Sequence, residues 1–286
     1  MLRVLVAGAT GYLGRHVVAE LARRGHFVRA LARDGERLRR AAPQATEAFV
    51  GQITDPATLA HACDGVDAVF SSVGITRQRD RLTFRDVDYQ GNVNLLEVAL
   101  AARVPRLVYV SIVNADALGD LAIVRAHEEF VARLRASAID GTVLRPTGYF
   151  SDMTEFLTMA RGGRAYLFGD GSARMNPIAG ADLAVTAADA IERGGSEIAV
   201  GGPETLTIRQ IAETAFAAVG KPARIRSLPV GLVRGATSLV RLFSRRTADL
   251  LAFQTAVLTR DMVAPPTGTL TLGEHFRREL AAQPAL

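Results

Sequence analysis

Across 286 residues there is one cysteine, Cys63, which excludes an internal disulfide and any metal site built from several thiolates. The five histidines are scattered, without the spacing that brings two imidazoles to one ion, so no metal is expected. No uncharged run approaches the roughly 18 residues needed to cross a bilayer. The first residues, MLRVLVAGATG, pass straight into a strand-like run and glycines, with no apolar stretch followed by a small-residue cleavage site, and the expectation is a cytoplasmic protein. Internal repeats and low-complexity segments are absent. What is present, 49% hydrophobic and 22% charged residues, suits a globular chain with one substantial domain and a smaller lobe. A net charge of +5, rich in Arg, suits an anionic cofactor, a membrane surface or nucleic acid, and charge alone does not choose among them.

Apolar runs at residues 2–7, 27–32, 66–72, 107–112 and 141–144 read as strands, with helical stretches at 15–24, 56–63, 87–102 and 124–137 between them. Strands alternating with helices imply right-handed crossovers and an α/β, doubly wound parallel sheet covered on both faces. The continuous apolar character of LVYVSIV fits a strand buried on both sides. After Pro146 the pattern shifts to glycine-rich turns with short helical pieces, the mark of a small lobe. An apolar strand at 198–201 is expected to return to the main sheet, which makes that C-terminal substrate lobe discontinuous: residues 1–150 and about 176–202 in the main domain, 151–175 and 203–286 in the lobe. Residues 207–219 form an amphipathic helix with Thr207 as its N-cap.

Gly8-Ala9-Thr10-Gly11-Tyr12-Leu13-Gly14 follows a strand and opens a helix. In that context missing side chains let the turn form and let backbone N–H groups approach a pyrophosphate at the positive end of the helix. The first segment after the second strand reads Arg33-Asp34, with Arg33 lying 19 residues beyond Gly14. An acidic residue at that strand end bonds the ribose 2′-hydroxyl of NAD, and an Arg accommodates the 2′-phosphate of NADP. Arg33, with Arg37 and Arg39 near it, favours NADP(H) over NAD(H); Asp34 is the competing NAD contact, and a merely solvated Arg33 is the plain alternative.

The loop GATGYLG resembles the G-x-x-G-x-x-G loop of the extended and atypical members of the short-chain dehydrogenase/reductase superfamily. Asp64 to Val69 resembles the approach to that family's fourth strand, Asp88 to Glu97 its D-x-x-G-x-x-N-L-L-E helix, and Leu107 to Ser111 its fifth strand. Leu144 to Phe150, Asn176-Pro177-Ile178 with Ala181 to Ala184, and Gly201 to Glu204 resemble its later segments, so the likeness covers about residues 1–220 and is greatest to the NmrA-like branch. It implies a Rossmann fold and a dinucleotide bound by Gly8, Thr10, Gly11, Tyr12, Leu13, Gly14, Arg33, Ile53, Ser71, Ser72, Val73, His127, Pro146, Thr147 and Gly148. The family's Tyr-x-x-x-Lys pair is missing: the corresponding helix reads LAIVRAHEEF, with His127 where the lysine falls. His127 is then a candidate for the ribose contact and proton donor, a surface histidine being the equal alternative. Ser111 and Tyr149 are the other catalytic candidates, each with a structural reading of strand-end hydroxyl or packing.

Two functions follow from the resemblance. One is an NADPH-dependent oxidoreductase reducing a small apolar or aromatic carbonyl, enone or quinone-like substrate. The other is a non-catalytic NADP(H)-binding regulator or assembly factor, which the missing Tyr and Lys favour. No nucleic acid is expected as a partner. Residues 228–258 mix Arg with Leu, Val and Phe in a manner compatible with a bilayer interface, but packing on the protein's own core is the preferred expectation.

Overall fold

A computed structural model describes residues 1–75 and 82–282. In chain order the elements are β1 (Arg3–Ala7), α1 (Tyr12–Arg23), β2 (Phe27–Ala32), α2 (Gly35–Ala41), β3 (Glu47–Val50), β4 (Ala68–Ser71), α3 (Asn92–Ala101), β5 (Arg106–Val110), α4 (Ala122–Arg135), β6 (Asp140–Pro146) and α5 (Phe150–Arg161). They continue with β7 (Ala165–Phe168), β8 (Arg174–Met175), α6 (Gly180–Arg193), β9 (Glu197–Val200), β10 (Leu206–Thr207), α7 (Ile208–Ala218), β11 (Ile225–Leu228), α8 (Val230–Phe243), α9 (Arg245–Leu258) and α10 (Leu272–Ala282).

Seven strands form one sheet in the order β3-β2-β1-β4-β5-β6-β9. The pairings of β1 with β2 and β4, β2 with β3, β4 with β5, and β5 with β6 are all parallel. Val4, Leu5, Val6 and Ala7 of β1 are wholly buried, as a central strand covered on both faces requires. Because β2 and β4 flank β1 on opposite sides, the chain reverses its direction of travel across the sheet at β1, and the crevice beyond the carboxyl ends of these strands is where such sheets bind ligands.

The chain divides into two compact units: residues 1–115, 122–145 and 183–198, and residues 116–121, 146–182 and 199–286. Within the second, β7 pairs in parallel with β11 and β8 antiparallel with β10. Thr207 caps α7 in a reciprocal box, its hydroxyl accepting from the Gln210 N–H while the Gln210 side chain accepts from the Thr207 N–H.

Three expectations are corrected. The helix at 56–63 is a 3-10 turn over Pro56–Leu59, because Ala60 (φ −50°, ψ 132°) leaves the helical region and His61 (φ 66°) is left-handed. The helix at 87–102 opens with a π-helical stretch, Arg85–Gly91, before α3. The 228–258 stretch packs on the core only in part: α9 half-buries Leu250, Leu251 and Phe253, but in α8 only Val233 and Thr237 are buried, and Leu232, Leu239, Leu242 and Phe243 are exposed. Among the described residues no helix is long and apolar enough to cross a membrane.

Candidate functional site

The turn between β1 and α1 is held by Gly8 (φ 83°), whose carbonyl accepts from the Gly11 N–H at 2.8 Å. Gly11 then stands extended as the N-cap of α1 with no side-chain cap, which brings the N-terminus of a 12-residue helix to the loop, where its dipole favours an anion. Close approach fixes the three glycines. A Cβ on Gly14 would lie 2.1 Å from the Gly8 carbonyl oxygen, one on Gly11 would lie 3.1 Å from that oxygen, and one on Gly8 would lie 3.0 Å from the Ser72 hydroxyl. A pyrophosphate fits a cradle so stripped of side chains, beside a helix N-terminus.

The cradle opens into a cleft of about 470 Å³ lined by Gly8, Thr10 and Gly11 after β1, Ala32 at the end of β2 with Arg33 after it, Gly51 to Thr54 after β3, and Ser72, Val73 and Gly74 after β4. Every one of these segments lies at a carboxyl end in the parallel sheet. At one end Thr10, Ala32, Arg33, Asp34 and Arg37 surround a smaller hollow. Asp34 is the N-cap of α2, its Oδ1 accepting from the Glu36 and Arg37 N–H groups at 2.9 and 3.1 Å. The Arg37 N–H leads in holding its carboxyl below the ordinary value. The carboxylate is thus engaged by its own helix, while the arginines supply the positive charge of the hollow.

At the cleft floor a Cβ on Gly74 would come within 2.9 Å of Asp88 Oδ1 and 3.7 Å of His127 Nε2. Asp88, wholly buried and carried on the π-helical stretch, accepts from the Ile75 N–H and faces His127 Nε2 at 3.2 Å. His127 Nδ1 is 2.7 Å from the Tyr109 hydroxyl, itself fully buried. The neutral arrangement that satisfies all three has Tyr109 O–H donating to Nδ1 and Nε2–H donating to the Asp88 carboxylate. His127 is therefore a buried member of a three-residue network, 8% exposed, and not a surface histidine.

Ser111 also ends in a network. Its hydroxyl donates to Glu128 Oε1 at 2.7 Å, and Arg145 grips the same carboxylate with Nη1 and Nη2 at 2.7 and 2.8 Å while its Nε reaches Glu197. Burial pushes the Glu128 carboxyl up, but hydrogen bonds from Arg145 and Ser111 prevail and leave it below its ordinary value.

Of the residues expected around a dinucleotide, Gly8, Thr10, Gly11, Arg33, Ile53, Ser72 and Val73 line one cleft. Tyr12 begins α1 and stacks edge-on with His16; Leu13 and Gly14 are buried beneath the loop. Ser71 points away into the core, donating to Asn92 Oδ1 at 2.6 Å. Pro146, Thr147, Gly148 and Tyr149 belong to the second unit. There Thr147 donates to the Asn176 carbonyl at 2.6 Å and Tyr149 is the N-cap of α5. Gly51, Gln52, Thr54, Gly74, Leu82 and Val87 line the cleft without having been expected. Of these, Gly74 carries a readable signal, a glycine closing the turn after an apolar strand.

The NAD(P)H-binding family matches residues 8–193. Photosystem II assembly factor Ycf39 of Synechocystis sp. is 28% identical over 278 residues, covering 91% of this chain and 83% of that protein. Divinyl chlorophyllide a 8-vinyl-reductase of Zea mays is 30% identical, with 80% of this chain matched to 62% of its own length. The (4-alkanoyl-5-oxo-2,5-dihydrofuran-3-yl)methyl phosphate reductase of Streptomyces griseus is 32% identical over 82% of this chain and 79% of the relative. Among solved structures, the Escherichia coli NADPH-dependent quinone oxidoreductase QOR2 in complex with NADPH superposes with a TM-score of 0.75 at 23% identity, over 98% of this chain and 100% of that one. The glycine cradle, the parallel sheet and these likenesses agree, and the chain belongs to the NAD(P)H-binding family.

Proposed function

We propose that the protein is an NADPH-dependent reductase of a small apolar or aromatic substrate with a carbonyl, enone or quinone-like acceptor. The observation that carries the cofactor choice is the hollow at the end of β2, where Arg33 and Arg37 provide charge and Asp34 is occupied as a helix cap. Reductase chemistry is supported by two relatives named as reductases, the maize and Streptomyces proteins. In this reading Gly8 to Gly14 hold the pyrophosphate, Arg33 and Arg37 the 2′-phosphate, and Ile53, Ser72, Val73 and Gly74 wall the cleft. The bound nicotinamide supplies a hydride. His127 holds a proton at Nε2 under Gly74, with Asp88 fixing its tautomer, and Ser111 and Tyr149 remain proposed contributors.

The test is consumption of NADPH with quinones, enones and aldehydes, and with NADH as comparator. Turnover with at least one acceptor is expected, and His127→Ala should cost on the order of a hundredfold if the imidazole serves as acid. A second reading, a non-catalytic NADP(H) binder, is favoured by one observation: both His127 nitrogens are already engaged in the core. Ycf39 of Synechocystis, a relative, is an assembly factor by name. Tight NADPH binding with no consumption across the acceptors would select it.

A further inference from the structure

A surface helix ordinarily turns its apolar stripe inward and its polar residues to water. α8 does both at once. Val233 and Thr237 face inward, at 7% and 8% exposure, yet Leu232 and Leu239 are 64% exposed, Leu242 78% and Phe243 91%. At 3.6 residues per turn these four fall on one continuous outward arc shared with Gly235 and Ala236, an arc without a charged residue. Arg234 and Arg241, seven residues apart, lie together at one margin of the exposed face, separated from the apolar arc by Gly231 and Ser238, and Arg245 and Arg246 follow Phe243 at the start of α9. Residues 228–258 hold four arginines and one acid, Asp249, which pairs with Arg241 at 2.8 Å.

We propose that the outward face of α8 docks on an anionic lipid bilayer, the helix lying in the plane of the interface. Leucine and phenylalanine side chains would enter the acyl boundary, and arginines on the rim would bind lipid phosphates through their planar forks. Charge selects this occupant. A second copy of the chain meeting the same face would set four arginines against four, with one aspartate apiece to compensate, whereas an acidic headgroup layer complements the rim. The inference concerns the second unit alone and does not depend on the proposed reductase chemistry.

The test is flotation of the full chain with phosphatidylcholine vesicles and with vesicles of equal parts phosphatidylcholine and phosphatidylglycerol. The chain is expected to float with the anionic vesicles only, less so as salt rises. Leu239→Ser with Phe243→Ser, and separately Arg234→Gln with Arg245→Gln, should each lower the partition coefficient on the order of tenfold or more, with NADPH affinity unchanged. Absence of flotation with anionic vesicles, or flotation undiminished in both double variants, would overturn the proposal. So would a wild-type dimer that the Leu239→Ser, Phe243→Ser variant converts to monomer, since that result assigns the face to a second copy.

Discussion

Arg33 and Asp34 are neighbours that the sequence leaves in competition for one ribose; Asp34 Oδ1 caps α2 by accepting from two N–H groups, and the proposal gives the ribose phosphate to Arg33. Arg33→Ala should therefore cost NADPH roughly 1.5–3 kcal/mol of binding, the worth of hydrogen bonds to a charged group, and leave NADH unaffected. Calorimetry checks it, and an unchanged preference would remove Arg33 from the site. Glu128 makes a different prediction. Glu128→Gln keeps the shape but strips the charge facing Arg145, which is 9% exposed; the cost should be about 2–3 kcal/mol, under the full buried-pair value because Glu197 remains. The folded carboxyl lies below its unfolded value near 4.3, so the folded state binds fewer protons there. Its contribution is then full above about pH 4.3 and lost as pH falls through the folded value. Melting of wild type and variant should differ most near neutral pH and converge in acid, and an undiminished gap at about pH 3 would contradict the pairing. Arg33 was legible because its offset from the glycine loop is a spacing rule. The Asp88–His127–Tyr109 network was not, since it joins residues up to 39 positions apart, from Asp88 to His127, through a fold the string does not display.

At the scale of elements, the glycine loop behaves as two kinds of position. Gly14→Ala would drive a Cβ into the Gly8 carbonyl at 2.1 Å, backbone against backbone, so the loop must shift and the protein should lose stability as well as dinucleotide binding. Gly11→Ala meets that oxygen at 3.1 Å, a contact a few tenths of an ångström too close, and should weaken binding with a smaller loss of melting temperature. Equal melting temperatures for the two variants would contradict the packing described for Gly14. The buried parallel strands were readable as largely apolar runs, β2 to its exact ends although Arg29 interrupts it, because burial on both faces favours apolar residues and Arg29 is tolerated only with its guanidinium bound to Glu47 and to the Ala62 and Asp64 carbonyls. β3 and α2 escaped notice for the converse reason. β3 is four residues alternating half-buried and exposed at the sheet edge, and α2 is seven residues with Leu38 as its only buried side chain. The π-helical stretch was unreadable because one hydrogen-bond register shift has no sequence period, though it is what carries the buried Asp88 to the cleft floor.

For the molecule as a whole, the chain contains a single lysine, Lys221, far along the sequence from the helix where the short-chain dehydrogenase/reductases it resembles carry one. The cofactor cradle is intact and the usual proton-handling pair is absent, which is why hydride transfer rather than nucleotide binding is the claim at stake. α4 carries a histidine, His127, whose ring is fixed by Tyr109 and Asp88. Fold and cradle could be read in advance because both follow from apolar patterning and glycine spacing. The outward apolar face of α8 could not, since an amphipathic pattern says that a helix has two faces and not which of them meets water. The most direct measurement is transfer of deuterium from NADPH labelled at the nicotinamide C4 to the carbon of enones and aldehydes, read by mass spectrometry, with oxidation of NADPH followed directly for quinones, whose hydroquinone products exchange the label with water. The account predicts deuterium on an enone or aldehyde product or acceptor-dependent oxidation of NADPH by a quinone, at a rate that falls when NADH replaces NADPH. Saturable NADPH binding with neither label transfer nor quinone-dependent oxidation would contradict it.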